Sequence, residues 1–294
     1  MVIPQGLSAF PLTPANAQGH VNSVEFRRCI SRLVRASVDS IGILGSTGTH
    51  VYLSRQERCR AIDIALEETN GHTPIIAGVG ALCTRDAIDH AKDAKAAGVT
   101  AGLLPLVSYI PLTEDEAFAH FEAVATHSAL PIIVYDNPIT THFKCSSALI
   151  ERLSRVPGIV GIKNITAAPL AEQRATLAAE FSVGISGDSI AAEALMGPAD
   201  TWYSVLGGIL PSLCKDMAEE AQAGNVQQVQ AISASLQPIW SLFEQHSSLR
   251  TVHAMACILG IASEPLPLPL KGLSPSLLHE VERVMNTYPD DMLR

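Results

Sequence analysis

A single lysine at the end of an apolar run is the residue of this sequence with the clearest chemical potential. Lys163 follows Ile159-Val160-Gly161-Ile162, and continuous branched apolar runs are typical of parallel strands buried on both faces. Of the six lysines, at 92, 95, 144, 163, 215 and 271, only this one ends such a run. Lys163 either marks where the strand leaves the core for solvent, or is a desolvated amine with a lowered pKa that can attack a carbonyl carbon.

Other apolar segments also end in groups that could work with an amine. A phenol can shuttle protons, and a glycine-rich turn at a helix start offers backbone N–H groups to an anion. Each group also has a purely structural interpretation, as a tight connection, a half-buried strand aromatic or a helix N-cap. The candidates are the turn Gly45-Ser46-Thr47-Gly48, Tyr135, the pair Gly187-Asp188, and Ser204.

The elements that position these groups alternate regularly. Eight short apolar segments, centred near residues 8, 42, 76, 103, 133, 161, 184 and 203, are separated by amphipathic helical patterns. This alternation predicts an α/β fold, a (β/α)8 TIM barrel over residues 1–224, with active-site groups at the carboxyl ends of its strands. Residues 225–294 show no further strand pattern and predict a C-terminal extension of three helices packed on the barrel. A doubly wound sheet is the alternative, but no GxGxxG follows the first strand.

Composition limits the possible partners and the compartment. The net charge of −9 and the lack of a basic cluster argue against nucleic acid and anionic membrane surfaces as partners. No apolar stretch approaches the length of a membrane span. The six cysteines show no metal-ligand or disulfide spacing, so we expect no metal site and a cytoplasmic protein.

Four of these motifs, taken in order, resemble one known family. Gly45-Ser46-Thr47-Gly48, Tyr135-Asp136-Asn137-Pro138, Gly161-Ile162-Lys163 and Ser186-Gly187-Asp188 are similar to motifs of the dihydrodipicolinate synthase / N-acetylneuraminate lyase family of pyruvate-dependent class I aldolases. The resemblance extends from residue 6 to about 270. It implies a lyase that makes or cleaves a bond next to the ketone of pyruvate or a related 2-oxo acid, with an aldehyde as the second substrate.

The resemblance also implies a role for each matching residue. Lys163 would form a covalent imine with the 2-oxo acid, so that no separate cofactor is needed. Ser46 and Thr47 would hold the substrate carboxylate, and Tyr135 would relay protons, with a nearby positive charge favouring its phenolate. Tyr109 would reach a neighbouring subunit's site and complete a relay with Thr47 and Tyr135. The family is commonly tetrameric, so a homotetramer, a dimer of dimers, is expected; Tyr109 as a plain surface aromatic is the alternative.

Departures from the family pattern bear on the substrate. The turn continues with Thr49 instead of glutamate, and Thr140 stands where members that use aspartate semialdehyde place an arginine. Threonine cannot replace a bidentate guanidinium. We therefore expect a different substrate, a 2-keto-3-deoxy sugar acid or similar, with the synthase reaction on aspartate semialdehyde as the alternative. Trp202 and Tyr203 are expected to narrow the rim beside the substrate contacts Gly187, Asp188 and Ser204.

Two other function classes remain open from the sequence. A phosphate- or metal-using barrel enzyme would need a phosphate site near strands seven and eight or a His/carboxylate ligand set, and Gly207-Gly208 is the single hint of one. A non-catalytic protein that binds 2-oxo acids would share the glycine-rich turn. The presence of both Lys163 and Tyr135 argues against this second class.

Overall fold

The fold is a closed parallel barrel. The computed structural model describes residues 3–166, 170–290 and 292–293. Its strands are hydrogen-bonded in chain order, and the first pairs with the last. The predicted (β/α)8 architecture is confirmed. The strands are β1 (Gly6–Ala9), β2 (Ser40–Ile43), β3 (Ile75–Gly78), β4 (Ala101–Pro105), β5 (Ile132–Asp136), β6 (Ile159–Asn164), β7 (Ser182–Ile185) and β8 (Thr201–Ser204).

Helices cover the outside of the barrel. The sequence predicts Ser54 and Thr113 as helix starts and Gly98 as a helix end. The Ser54 and Thr113 side chains each accept a hydrogen bond from the backbone N–H three residues on, as N-caps do. Gly98 ends its helix with a φ of 101°, which glycine adopts without strain. The barrel helices are α1 (Ser23–Arg35), α2 (Arg55–Thr69), α3 (Thr84–Ala97), α4 (Glu114–Ser128), α5 (Pro138–Thr141), α6 (Ser147–Ser154), α7 (Leu170–Thr176), α8 (Ala191–Leu195) and α9 (Pro211–Gln222).

Three short 3-10 helices lie in the connections, and one predicted helix is shorter than expected. The 3-10 helices are His50–Tyr52, Asp188–Ile190 and Leu206–Gly208. The sequence pattern over residues 169–180 predicts a helix, but α7 ends at Thr176. The expected first residue, Pro169, lies outside the described residues.

The prediction of three helices after the barrel is wrong, because the described residues beyond 224 form four. Pro238 lies in the first turn of a helix, where its missing N–H costs nothing, so it marks a start as well as a break. The four helices are α10 (Val226–Ser235), α11 (Gln237–His246), α12 (Ser248–Ile258) and α13 (Pro275–Met285).

The extension shares the apolar core of the barrel. Val229, Trp240, Val252 and Val281 are buried in the same cluster as the outward-facing strand residues and the barrel helices. Glu25 of α1 adds a polar tie, because its carboxylate accepts hydrogen bonds from the backbone N–H groups of residues 263 and 264 and from the hydroxyl of residue 263. The extension therefore packs on the barrel, while a domain boundary at residue 224 stays a prediction.

Strand alternation separates two apolar clusters. Odd-numbered residues of β4 and β5, such as Leu103 and Tyr135, lie inside the barrel, and their neighbours Leu104 and Val134 face the helices. The interior cluster consists of Ile3, Phe10, Ile76, Ala101, Leu103, Ile133, Tyr135 and Tyr203. The inward positions at the carboxyl ends of the strands therefore surround one central space.

Candidate active site

Lys163 lies inside the barrel and not at a solvent exit. Its backbone pairs with Tyr135 of β5 on one side and Gly184 of β7 on the other. The residue is 2% exposed. Within the described part of the chain, its ammonium group forms no ion pair and no hydrogen bond. The structure thus favours the interpretation of Lys163 as a desolvated amine.

Three aromatic rings surround the amine. Lys163 Nζ lies 3.9 Å from the ring centroid of Phe10, 4.4 Å from that of Tyr135 and 5.6 Å from that of Tyr203. The Phe10 and Tyr203 rings meet edge to face, with centroids 6.0 Å apart. We call these three rings the aromatic cage.

Burial dominates the electrostatics of the lysine. Removal from water disfavours the charged form and lowers the pKa of Lys163 to about 7, although the carboxylate of Asp188 acts in the opposite direction. A large fraction of the amine is therefore neutral and nucleophilic near pH 7.

Tyr135 is a buried phenol held by two side chains. Asn137 Nδ2 donates a hydrogen bond of 2.8 Å to Tyr135 Oη, and Ser46 Oγ lies 3.5 Å from the same oxygen. Burial raises the pKa of Tyr135 above its usual value, and the hydrogen bonds from Ser46 and Asn137 only partly oppose this. The expectation that a nearby positive charge favours the phenolate stays a prediction.

The glycine-rich turn brings Ser46, rather than Thr47, to the phenol. Thr47 is buried, and in the described residues no hydrogen bond joins it to Tyr135. The relay position predicted for Thr47 is thus occupied by the Ser46 hydroxyl. A Cβ on Gly48 would lie 2.8 Å from Thr13 Oγ1 and 3.1 Å from the backbone N of Leu44, so the tight turn needs glycine there.

The turn does not lead directly into a long helix. The 3-10 helix His50–Tyr52 follows it, and α2 begins only at Arg55. The expected helix start beside the turn is therefore one short 3-10 turn. Among described residues, no protein acceptor receives a hydrogen bond from the N–H groups of Ser46, Thr47 and Gly48, whereas the Thr49 N–H donates to the Ser46 carbonyl.

Asp188 and Ser204 serve the architecture of the barrel rim. The Asp188 carboxylate accepts hydrogen bonds from Trp202 Nε1 and Ser204 Oγ, both at 2.8 Å, and from the backbone N–H groups of Val205 and Leu206, both at 3.2 Å. Burial raises the pKa of Asp188 to about 6, against the effect of these donors. Asp188 thus caps the 3-10 helix Leu206–Gly208 instead of its own.

The structure gives these residues partners within the protein, and their predicted substrate contacts stay predictions. Ser204 is fully buried, donates to Asp188 and accepts from the Gly207 N–H, so its hydroxyl is used within the protein. Trp202 and Tyr203 are also fully buried and do not narrow the rim: Trp202 faces the helices and Tyr203 the barrel interior. Gly187 is partly exposed, and its predicted substrate contact stays a prediction.

A cavity of about 590 Å³ opens beside Ser46 and Tyr135. Thr140 lines it, at the position where the sequence lacks an arginine. Arg58 also lines it, but its guanidinium donates to the Gly78 and Gly80 carbonyls, at 2.8 and 3.1 Å. The other lining side chains include Thr49, His50, Val51, Leu53, Leu82, Asp86, His90, Val107, Thr141, Leu249 and Leu270.

Tyr109 lies apart from the other predicted residues. It is 91% exposed, in the loop between β4 and α4, and does not line this cavity within the described chain. Its predicted contribution to a neighbouring subunit's site remains a prediction.

Sequence reasoning missed Phe10, Tyr203 and Asn137 as neighbours of the reacting groups. Phe10 directly follows β1, so the same strand-end rule that selected Lys163 would also have selected it. Tyr203 could have been assigned inward from the alternation along β8. Asn137 lies two residues after Tyr135, but nothing in the sequence indicates that its amide turns back to the phenol.

Two predicted absences concern a metal site and a membrane-spanning helix. No three His, Cys, Asp or Glu side chains of the described residues come together in an arrangement that could hold a metal ion. Within the same part of the chain, no helix combines the length and apolar character needed to cross a bilayer. The cytoplasmic location expected from the cysteines stays a prediction.

The sequence of the chain matches a known family. The Dihydrodipicolinate synthetase family model covers residues 3–287. The 4-hydroxy-tetrahydrodipicolinate synthases of Methylococcus capsulatus and Thiobacillus denitrificans are 31% and 33% identical to this chain. The alignments cover 96% of the chain and 97% of the Methylococcus protein, and 92% of the chain and of the Thiobacillus protein.

Solved structures show the same architecture. Dihydrodipicolinate synthase from Agrobacterium tumefaciens is 44% identical and superposes with a TM-score of 0.93, over 96% of this chain and 97% of that one. The chloride-inhibited dihydrodipicolinate synthase from Acinetobacter baumannii, solved in complex with pyruvate, is 27% identical with a TM-score of 0.92, over 97% and 98% of the two chains. The chain therefore belongs to the dihydrodipicolinate synthetase family of class I aldolase-type lyases.

Proposed function

We propose that the protein is a pyruvate-dependent lyase in which Lys163 forms the covalent imine with a 2-oxo acid. The observation that carries the proposal is the burial of Lys163, which lowers the pKa of its amine to about 7 without an ion-pair partner in the described residues. The pyruvate complex of the Acinetobacter enzyme supports pyruvate as the 2-oxo acid.

The chemistry needs no separate cofactor. The neutral amine of Lys163 attacks the ketone carbon, and proton transfer gives a carbinolamine. Loss of water then produces an iminium, whose positive nitrogen accepts the electron pair of a bond broken at the adjacent carbon. The resulting enamine is protonated in the cleavage direction or attacks an aldehyde in the condensation direction.

Tyr135 is suited to move the protons of these steps. Its phenol remains protonated near neutral pH because burial raises its pKa, and it lies within reach of Ser46 and Asn137. It can therefore donate a proton as the hydroxyl of the carbinolamine leaves as water. The relay that we propose runs through Tyr135 and Ser46 to Tyr109 of a neighbouring subunit.

The turn after β2 is the proposed site for the carboxylate of the 2-oxo acid. In the described residues, the N–H groups of Ser46, Thr47 and Gly48 have no protein acceptor, and successive backbone N–H groups form a concave anion site. The Ser46 and Thr47 hydroxyls can add hydrogen bonds to the same anion.

The substrate that we favour is a 2-keto-3-deoxy sugar acid or a similar hydroxylated 2-oxo acid. Three threonines, at residues 49, 140 and 141, line the cavity, while the Arg58 guanidinium donates to backbone carbonyls. The hydroxyls of residues 140 and 141 donate to the Asn137 carbonyl and keep their acceptor capacity for a substrate hydroxyl. Hydroxyl groups suit a polyhydroxylated chain better than a second carboxylate. The names of the relatives favour the alternative, 4-hydroxy-tetrahydrodipicolinate synthase activity on aspartate semialdehyde.

We further propose a homotetramer, a dimer of dimers. The exposure of Tyr109 supports this arrangement, since a large aromatic ring at 91% exposure gains by burial in a partner.

Pyruvate and borohydride should add a stable mass to Lys163. Because attack requires the neutral amine, the trapping rate should rise with pH through a midpoint near 7, the pKa of Lys163. Intact mass and peptide mapping measure the adduct. Lys163→Ala should abolish it and Lys92→Ala, at an exposed position, should retain it; a wild-type protein without adduct would contradict the imine.

Tyr135→Phe should lower turnover by roughly 10²–10⁴, the usual contribution of general acid–base catalysis, and leave the fold intact. Steady-state kinetics and circular dichroism measure the two effects. Tyr288→Phe is the matched control, since it removes a buried phenol's hydrogen bond to the Ser235 carbonyl far along the chain. Equal turnover in wild type and Tyr135→Phe would remove Tyr135 from the relay.

Wild-type protein should turn over 2-keto-3-deoxy sugar acids faster than pyruvate with aspartate semialdehyde. Thr140→Arg should raise the relative kcat/KM for aspartate semialdehyde by about 10- to 100-fold, the size of a hydrogen-bonded charge pair. Thr140→Lys, which lacks the planar fork, should gain less. Faster turnover of aspartate semialdehyde by the wild type would instead establish the synthase alternative.

Tyr109→Phe and Lys163→Ala should complement one another in mixed oligomers. Each variant alone should show reduced turnover, but co-expressed subunits would form some sites with both Lys163 and the partner subunit's Tyr109. Light scattering of the wild type should give the mass of four chains. Absence of any recovery in oligomers shown to contain both variants would rule out a shared site.

A further inference from the structure

The position of Phe10 requires space that several glycines provide. A Cβ on Gly42 would lie 2.1 Å from Phe10 Cζ, and one on Gly45 would lie 2.9 Å from Phe10 Cδ1. On the opposite side, a Cβ on Gly184 would lie 2.3 Å from Tyr203 Cε2. Thus, at three positions in or just after a strand, glycine leaves the space that a ring of the aromatic cage fills.

The rings provide the nearest compensation for the charge of Lys163. Cations within about 6 Å of a ring centroid are attracted by the negative face of the ring, and all three rings of the cage meet that distance. In the described residues no carboxylate lies within ion-pair distance of the Lys163 amine. Attraction by the ring faces is strongest where water is excluded, as it is around this residue.

We propose that Phe10 is a positioning residue that, with Tyr135 and Tyr203, fixes Lys163 Nζ in the barrel centre and stabilises its positively charged forms. These forms are the ammonium of the free protein and, where the proposed function holds, the iminium of the covalent intermediate. Phe10 is suited to this role because its ring is the nearest of the three and carries no hydroxyl of its own.

The cage and the burial of Lys163 act in opposite directions. Desolvation favours the neutral amine, which is needed for attack, whereas the rings favour the cation that attack produces. A ring face can serve both stages because it attracts a cation without supplying a counter-ion that must be desolvated or protonated. The cage thereby limits how far burial alone would suppress the charged state.

Besides Phe10, three groups that can carry a charge face the Lys163 amine. They are the phenols of Tyr135 on β5 and Tyr203 on β8, and the Asp188 carboxylate after β7, whose charge raises the pKa of Lys163. A change confined to the electrons of the Phe10 ring would leave all three in place.

The decisive experiment replaces Phe10 with pentafluorophenylalanine, which keeps the ring's shape but reverses the charge distribution of its face. Reductive methylation of Lys163 by formaldehyde, with cyanoborohydride as the hydride donor, is followed against pH by peptide mass spectrometry. It reports the ionisation of the amine without requiring pyruvate. The midpoint should fall by about 0.5 to 1.5 pH units, as expected for loss of a buried cation–π contact. Pyruvate affinity, measured by the trapped fraction at equilibrium, should weaken in the same protein.

Two further variants test whether the effect comes from the Phe10 ring and not from the loss of any buried ring. Phe10→Leu removes the ring and should also lower the midpoint, while Phe26→Leu removes a ring that is equally buried in the outer cluster and should leave it unchanged. A midpoint equal to wild type in the pentafluorophenylalanine protein would overturn the cage. Absence of a pyruvate adduct in the wild type would overturn the proposed function alone, because the methylation midpoint still measures the cage.

Discussion

The chemistry proposed for this barrel depends on the removal of one lysine from water. An ammonium in the barrel interior loses its hydration, and nothing in the described residues restores it as an ion pair would. The cost falls on the charged form, which is why burial lowers the pKa of Lys163 to about 7. The closed sheet makes this possible, since Lys163 needs β5 and β7 on either side to be enclosed.

The rest of the rim keeps that interior in shape. Asp188 is the clearest example, because its four donors come from β8 and the start of the following 3-10 helix and join them to the end of β7. A buried carboxylate with this many donors fixes the positions of the groups around it. If the carboxylate were lost, each donor would be left without an acceptor. Its charge also reaches Lys163 and opposes part of the desolvation. Asp188 therefore affects the amine in two ways, by holding the ends of β7 and β8 together and by its negative charge.

The fold was accessible from the sequence because it depends on repetition, whereas the site depends on single contacts. Each strand of the barrel leaves its own apolar pattern, so eight segments in series determine the architecture even where bounds shift by a residue or two. The contacts that Ser204 and Asp188 make within the protein were not predicted, for a different reason. Strand ends identify which residues reach the rim, but only side-chain geometry shows that these two bond to each other.

Neighbouring hydroxyls were equally beyond the sequence. Ser46 and Thr47 are adjacent in one turn and both carry a hydroxyl group. Their side chains point in different directions, and the sequence could not show which of them meets Tyr135. The number of C-terminal helices was predicted wrongly because a proline in the first turn of a helix and a proline between two helices leave the same sequence pattern. The burial of Lys163 could be predicted because an isolated charge in an apolar strand has few structural explanations.

The glycines around the aromatic cage imply a rule for how such a site could change through evolution. Position 10 and position 42 share one volume, so a ring at the first excludes even a methyl group at the second. Positions 184 and 203 share another volume in the same way. A chain with a small residue at 10 could admit a side chain at 42, but the two changes would have to occur in that order. Covariation of position 10 with position 42, and of position 184 with position 203, across relatives would thus show how the side chains around the lysine changed.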